Sequence, residues 1–245
     1  MTYLRVGKAA KGEEMFSKVY QYDPEDEENY LEIGTGYLEA GQNEKAAEQF
    51  QKSFKLKPDR YRSFIKMAIA YLEANQEKKA WETFDRAVAI KPKEENTYLW
   101  MAMACAKKGQ TPKAEELFAK AVQLDPKDES NYLDMAEIYA GRGQAARVDG
   151  LINRAVLIAP KNKGVLLRSG LAILKAGEPA KAEDYFKKAC QADSKDEDLY
   201  VDAGLGYLEK GNYQKAAELF AKGLNMKPEK ERLYLKIGQA YVRIP

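Results

Sequence analysis

Five prolines, Pro24, Pro58, Pro92, Pro126 and Pro160, stand 34 residues apart, and Pro228 follows Pro160 by two such steps, with Ser194 at the place between. Proline fixes φ and lacks a backbone N–H, so it interrupts helices and central strands alike. A chain punctuated on one fixed period is an array of a single repeated supersecondary unit. With the proline set at unit position 32, complete units fall at 27–60, 61–94, 95–128, 129–162, 163–196 and 197–230, with a partial repeat at 1–26 and a terminal helix at 231–245. Nothing is left over for a second kind of domain, and a single domain over 1–245 is expected.

Within the unit, large and small residues recur at fixed places. Position 4 reads Tyr30, Phe64, Tyr98, Tyr132, Leu166, Tyr200 and Tyr234, and position 8 reads Gly34, Ala68, Ala102, Ala136, Gly170, Gly204 and Gly238. Position 11 is Tyr37, Tyr71, Cys105, Tyr139, Ile173, Tyr207 and Tyr241; position 20 is Ala in five of the six complete units and position 24 is Phe in five. Positions 4, 7, 8 and 11 share one face of a helix, and positions 20, 24, 27 and 28 share a face of a second, so each unit predicts an amphipathic helix pair. Gly41, Gly109, Gly143, Gly177 and Gly211 lie between the two, where a left-handed helix end suits glycine. Thr111 before Pro112 predicts an N-cap followed by proline at the first helical position. Small residues at positions 8 and 20 allow an approach close enough for the aromatics at 4, 11 and 24 to interlock.

These recurrent positions, over the whole chain, resemble those of the tetratricopeptide repeat (TPR) family. The resemblance implies an all-α fold, a right-handed α-solenoid of tandem 34-residue helix-turn-helix repeats, and a scaffold that holds a peptide or helix segment of a partner protein in its concave groove. Departures gather in two units. In 129–162, Val148 and Ile152 replace the usual Ala and Phe and Gly141, Gly143 and Gly150 are added; in 163–196, Ser169 and Ile173 stand at positions 7 and 11. Unit 129–162 is therefore expected to be the softest. The stretch KVYQYDPEDEENYLEIGTGYLEAG, residues 18–41, also resembles the repeat scaffolds that coat magnetosomes. That implies a self-assembling coat that oligomerises head-to-tail and recruits membrane-anchored partners.

The composition argues against catalysis. There is no His among the 245 residues, which removes His-based triads, His metal sites and His proton shuttles. Cys105 and Cys190 fall at core positions 11 and 28 and read as inert thiols. GRGQAA at 141–146 matches a dinucleotide fingerprint but follows a helix, where that motif needs a strand. No catalytic residue, cofactor or metal is expected. Lys and Arg number 40 against 38 Asp and Glu, too even for a nucleic-acid protein. The acidic run DPEDEEN, 23–29, reads as a solvated turn. No apolar stretch has spanning length, so no membrane insertion is expected, and MTYLRVGKAAKGEE is not a signal peptide, which points to the cytoplasm.

Recognition is expected along the first helices. Positions 5, 9 and 12 lie beside the core face, and they carry Leu31, Thr35 and Leu38; Ile65, Ile69 and Leu72; Leu99, Met103 and Ala106; Leu133, Glu137 and Ala140; Leu167, Leu171 and Leu174; and Val201, Leu205 and Leu208. Two readings stand for this apolar strip: a groove for an apolar or amphipathic segment, or a seam buried where neighbouring first helices meet. Trp100 at position 6, beside Leu99 and Met103, is a candidate anchor or another packing residue. Charges of alternating sign flank the strip, Glu28, Glu32 and Glu39, then Arg168 and Lys175, then Asp198, Asp202 and Glu209. Family members that clamp the C-terminal carboxylate of heat-shock chaperones carry Lys at position 5, where this chain has Leu, Ile or Val, so that mode is not expected. In the terminal helix, Leu235 and Val242 lack the usual second helix, which makes the chain ends candidates for contact between copies, a homo-oligomer.

Overall fold

The computed structural model describes residues 9–226 and 229–243. Residues 1–8 of the partial repeat and the lattice residue Pro228 lie outside them. The chain divides into two compact units, 1–126 and 127–245, and the division falls on a lattice proline. The first unit holds α1 (Ala9–Tyr22), α2 (Glu27–Glu39), α3 (Asn43–Leu56), α4 (Tyr61–Glu73), α5 (Glu77–Ile90), α6 (Glu95–Lys108) and α7 (Thr111–Leu124). The second holds α8 (Glu129–Gly141), α9 (Ala145–Ile158), α10 (Lys163–Ala176), α11 (Pro179–Ala192), α12 (Glu197–Glu209), α13 (Tyr213–Asn225) and α14 (Glu231–Val242). It is an all-α repeat fold. Every first helix begins at unit position 1 and every second helix of a complete unit at position 17, the phase read from the prolines.

Helix ends account for that constancy. Asp26, Asp128, Asn162 and Asp196 cap first helices, each side chain accepting from the N–H two residues on. First helices close on a left-handed residue at position 15: Gly41 (φ 75°), Gly109 (82°), Gly143 (69°), Gly177 (99°) and Gly211 (73°), with Asn75 (60°) in the repeat that lacks glycine. Asn tolerates that region better than other residues with a Cβ. Around Gly41 the N–H of Gln42 reaches Tyr37 O and that of Gly41 reaches Leu38 O, the paired bonds of a Schellman end. The expected cap at Thr111 is corrected: Thr111 is already helical, Gln110 is the N-cap without a side-chain bond, and Pro112 follows inside the first turn. Proline needs no N–H partner there, so it does not have to open the helix.

The helix pairs meet where glycine permits. A Cβ on Gly34 would lie 2.5 Å from the Phe50 ring, one on Gly170 2.5 Å from Phe186, and one on Gly204 2.6 Å from Phe220. Position 8 thus makes room for the position 24 aromatic, which meets the position 11 tyrosine of the next repeat edge to face: Phe16 with Tyr37, Phe50 with Tyr71, Phe186 with Tyr207 and Phe220 with Tyr241, centroids 5.3–5.8 Å apart. Burying each ring contributes about 1.5–3 kcal/mol. Three of the six complete repeats are also clasped between their first and last residues. Glu27, buried within the acidic run, pairs with Arg60; Glu197 lies 3.0 Å from Lys230; and with the signs exchanged Lys163 lies 2.7 Å from Asp196. The run at 23–29 is accordingly more than a solvated turn, since Asp26 caps α2 and Glu28 reaches Lys66.

Unit 129–162 is better packed than its departures suggest. Val148 and Ile152 are fully buried, and Gly143 is the ordinary turn residue. What remains unusual is Gly150, exposed in the middle of α9 with nothing within 4 Å of where its Cβ would stand.

Candidate functional site

Successive first helices within each unit pack on one another, α2 on α4 and α4 on α6, then α8 on α10, α10 on α12 and α12 on α14. This decides most of the apolar strip. Leu31, Leu38, Ile65, Leu72, Leu99, Leu133, Leu174, Val201 and Leu208 are buried, as the seam reading expects and an open groove along all of them does not; Leu38 and Leu174 still reach the walls of hollows. Positions 5 and 12 are seven residues apart and share one line along the helix, and that line is the seam. Position 9 is turned about 40° away from it at 3.6 residues per turn. There Ile69, Met103, Leu171 and Leu205 stay half-buried, as do Leu167, Trp100 and Arg168. With Thr35 and Glu137, also half-buried at position 9, these side chains are the accessible remainder of the strip and its edge.

In the second unit they surround a hollow. Leu167, Leu171 and Leu205, with Ala172 and Leu174, form the apolar part of a cavity of about 470 Å³, rimmed by Glu137, Arg168, Lys175, Asp202, Glu209 and Lys210. Gly206 shapes it, because a Cβ there would meet Leu171 at 2.6 Å. Arg168 does not offer its charge outward. Its guanidinium donates to Glu137 at 2.8 Å and to Asp134 at 2.6 Å; burial works against the charge, and these bonds more than offset it, raising the pKa. Lys236 closes on Asp202 at 2.8 Å, and Lys210 donates to the Lys175 carbonyl at 2.7 Å. The alternating charges beside the strip are therefore spent largely on one another. The partners of Arg168 and Lys236 were missed at the level of sequence, although the signal was there: opposite charges 34 residues apart at position 6, Asp134 with Arg168 and Asp202 with Lys236.

In the first unit the corresponding hollow is smaller. A cavity of about 280 Å³ lies by the C-terminal ends of α2 and α4, lined by Thr35, Leu38, Glu39 and Glu73. Trp100, Ile69 and Met103 lie beyond it on α4 and α6, and the Arg62 guanidinium sits 5.9 Å above the Trp100 ring. A cation on the ring leaves Trp100 half-covered, so it is both a packing residue and an accessible aromatic.

The thiols sit in different surroundings. Cys105 is buried and burial pushes its pKa up to about 11. Cys190 is only half-buried, a correction to its placement in the core; burial raises its pKa too, partly offset by the Tyr200 hydroxyl. Both thiols are protonated near neutral pH, the unreactive form. Among the described residues no cluster of His, Cys, Asp or Glu could hold a metal ion, and no helix is long and apolar enough to cross a membrane.

Sequence models described as tetratricopeptide repeat match residues 37–105, 96–128, 133–197 and 197–230. No curated protein matches the chain. Among similar solved structures, a tetratricopeptide repeat protein from Parabacteroides merdae is 17% identical, over 98% of this chain and 95% of that one, with a TM-score of 0.49. YrrB, described as a TPR protein with an unusual peptide-binding site, is 19% identical over 78% of this chain and 97% of its own, with a TM-score of 0.42. MamA is 20% identical over 69% of this chain and 92% of its own, with a TM-score of 0.43.

Proposed function

Because the chain belongs to the tetratricopeptide repeat proteins, a family of protein-interaction scaffolds, we propose that it acts without catalysis and holds an apolar or amphipathic segment of a partner protein on its first-helix faces. The observation that carries this reading is the hollow of the second unit. Leu167, Leu171 and Leu205 stay accessible there while most of the strip is closed, and of the charges around them Arg168 and Asp202 are paired, with Asp134 and with Lys236. A surface of that kind favours apolar side chains over a polyanion. Ile69, Met103 and Trp100 provide a second, flatter contact in the first unit. The test is affinity capture from the source cells with the wild-type chain and with Leu171→Lys and Leu205→Lys. Loss of the captured partner while the circular dichroism and melting temperature stay near wild type supports the reading. Capture that both variants retain overturns it.

A second reading is self-assembly through α14, where Tyr234, Leu235 and Val242 are 50%, 60% and 88% exposed. It predicts a mass in light scattering that grows with concentration and falls back with Leu235→Lys. A mass that stays monomeric at high concentration removes it, and with it the head-to-tail coat and its membrane-anchored partners.

A further inference from the structure

The outer sides of the units carry a different surface. Within each unit the first helices pack on one another, and the later turns of the second helices splay. One cleft opens between α3 and α5, with a volume of about 540 Å³, and another between α11 and α13, with a volume of about 250 Å³. The two clefts belong to different units, yet the same repeat positions line them. The floor is aromatic and apolar, Phe50, Phe54 and Tyr71 in the first, Phe186, Tyr207 and Leu219 in the second.

Both rims are cationic. Lys55 on α3 and Lys79 and Arg86 on α5 line the first cleft with Glu82, and Lys187 on α11 and Lys215 and Lys222 on α13 line the second with Glu183, so the lining cations outnumber the lining carboxylates by two in each, with Glu218 beside the second at 4.0 Å from Lys215. Glu183 is shared by Lys215 at 3.0 Å and Lys187 at 3.5 Å. Rather than pairing with carboxylates, two of the three cations of the first rim rest on rings: Lys79 lies 5.6 Å from the Tyr71 centroid, and Arg86 lies 5.2 Å and 5.4 Å from those of Phe54 and Phe64. Cations held over aromatic faces keep most of their charge for a ligand and lose little freedom on binding one.

This is unlike the first-helix face, where opposite charges in neighbouring repeats cancel. It is also unlike a nucleic-acid surface. Basic residues recur at position 26 in every complete repeat, as Lys52, Arg86, Lys120, Arg154, Lys188 and Lys222. An acidic residue stands four positions earlier in five of the six, Gly150 being the exception, so no continuous positive stripe forms. Each of the two clefts combines its charge excess with an apolar floor.

We propose that these second-helix clefts bind an acidic segment of a partner protein that carries a bulky apolar residue, the apolar side chain resting on the Phe and Tyr floor and its flanking carboxylates on the rim cations. The proposal concerns a face other than the first-helix hollow and stands or falls independently of it.

The probe is a fluorescein-labelled peptide of ten residues, glutamates around one central phenylalanine, titrated against the full chain by fluorescence anisotropy, with amide chemical shifts recorded on the 15N-labelled protein. The expected result is saturable binding that weakens as salt rises and shifts concentrated on α3, α5, α11 and α13. The double variant Lys187→Glu/Lys222→Glu combined with Arg86→Glu should lower the affinity by about tenfold or more. Replacing the phenylalanine of the peptide by alanine should weaken it as well, a control that does not depend on how any protein variant folds. Shifts on the first helices, equal binding of a peptide with lysines in place of the glutamates, or no binding at low salt overturns the proposal. If the protein instead self-associates with concentration and the same variants abolish it, the acidic run at 23–29 of a second copy is the occupant and the partner assignment is wrong.

Discussion

The two faces of each helix-pair stack handle charge in opposite ways. On the first-helix face, Asp134 and Arg168, or Asp202 and Lys236, are counterparts one repeat apart, and because first helices touch, each side chain reaches its counterpart directly. On the second-helix face the earliest turns still bridge, Lys181 to Asp149 at 2.6 Å and, at the edge of the second cleft, Lys215 to Glu183 at 3.0 Å, but the later turns open into clefts. There a basic residue one repeat from its neighbour has an aromatic ring beneath it instead. One lattice of 34 residues thus produces a neutral, partly apolar face and a cationic, aromatic-floored one. The difference comes from helix spacing more than from composition.

The largest expected effect separates core from cleft within one helix. Phe50 is buried under Gly34, and Phe54, one turn on, is half-buried and stacked on Phe64 with centroids 4.3 Å apart. Phe50→Ala should cost about 3–5 kcal/mol, the range for a buried ring replaced by a cavity. Phe54→Ala should cost about 1–2 kcal/mol, the part-burial of a ring plus its stacking. Urea unfolding of both variants checks the ranking. Equal costs would mean that the cleft is as closed as the core, and the contrast between the faces would collapse.

Next in size is recognition on the first-helix face. Leu171→Lys or Leu205→Lys should each weaken a bound apolar segment by about 2 kcal/mol or more at a hot spot. Stability should change little, because both side chains already reach solvent and a lysine stem can lie along the same surface. Leu31→Lys, by contrast, forces a charge into a fully buried seam and should prevent folding of its repeat. Circular dichroism distinguishes the two classes of variant.

Much of the fold was legible because the constraints are local and periodic. The prolines phased the helices, the glycines at position 15 marked the turns, and Gly34, Gly170 and Gly204 announced close contact with a large residue. The site was less legible, for a physical reason. Periodicity places Leu31 and Leu171 on nearly the same side of a helix, and the seam between first helices lies only about 40° from the accessible line. That is a difference of packing between repeats, which no single repeat encodes. Asn75 and Gln110 show the same limit at helix ends: the first takes glycine's conformation without being glycine, and the second caps by backbone geometry alone.

A smaller effect sharpens the picture of the repeat at 129–162. Gly150 is mid-helix and faces open space, so Gly150→Ala should stabilise by about 1 kcal/mol through helix propensity. Amide exchange in α9 should slow accordingly. No change in exchange would place any softness of this repeat elsewhere.

The smallest effect bears on how the faces treat charge, and it is read from pH. Lys230 donates to Asp198 at 2.7 Å and this bond, against the opposing effect of burial, holds the Asp198 carboxyl below its ordinary value, with Lys230, Arg232 and Lys236 adding to the lowering through their charges. A carboxyl depressed in the folded state contributes stability that is fully present above its unfolded pKa, about 3.9 for Asp, and is lost as pH falls through the lower folded value. Asp198→Asn should therefore flatten the acid limb of the unfolding midpoint below about pH 5 while costing less than about 1 kcal/mol at pH 7, as exposed pairs do. Lys222 has no carboxylate bridge among the described residues, so Lys222→Ala should leave that limb as it is in the wild type. If Lys222→Ala flattens it too, Lys222 is paired with a carboxylate, and the contrast between a neutralised face and a cationic one does not hold.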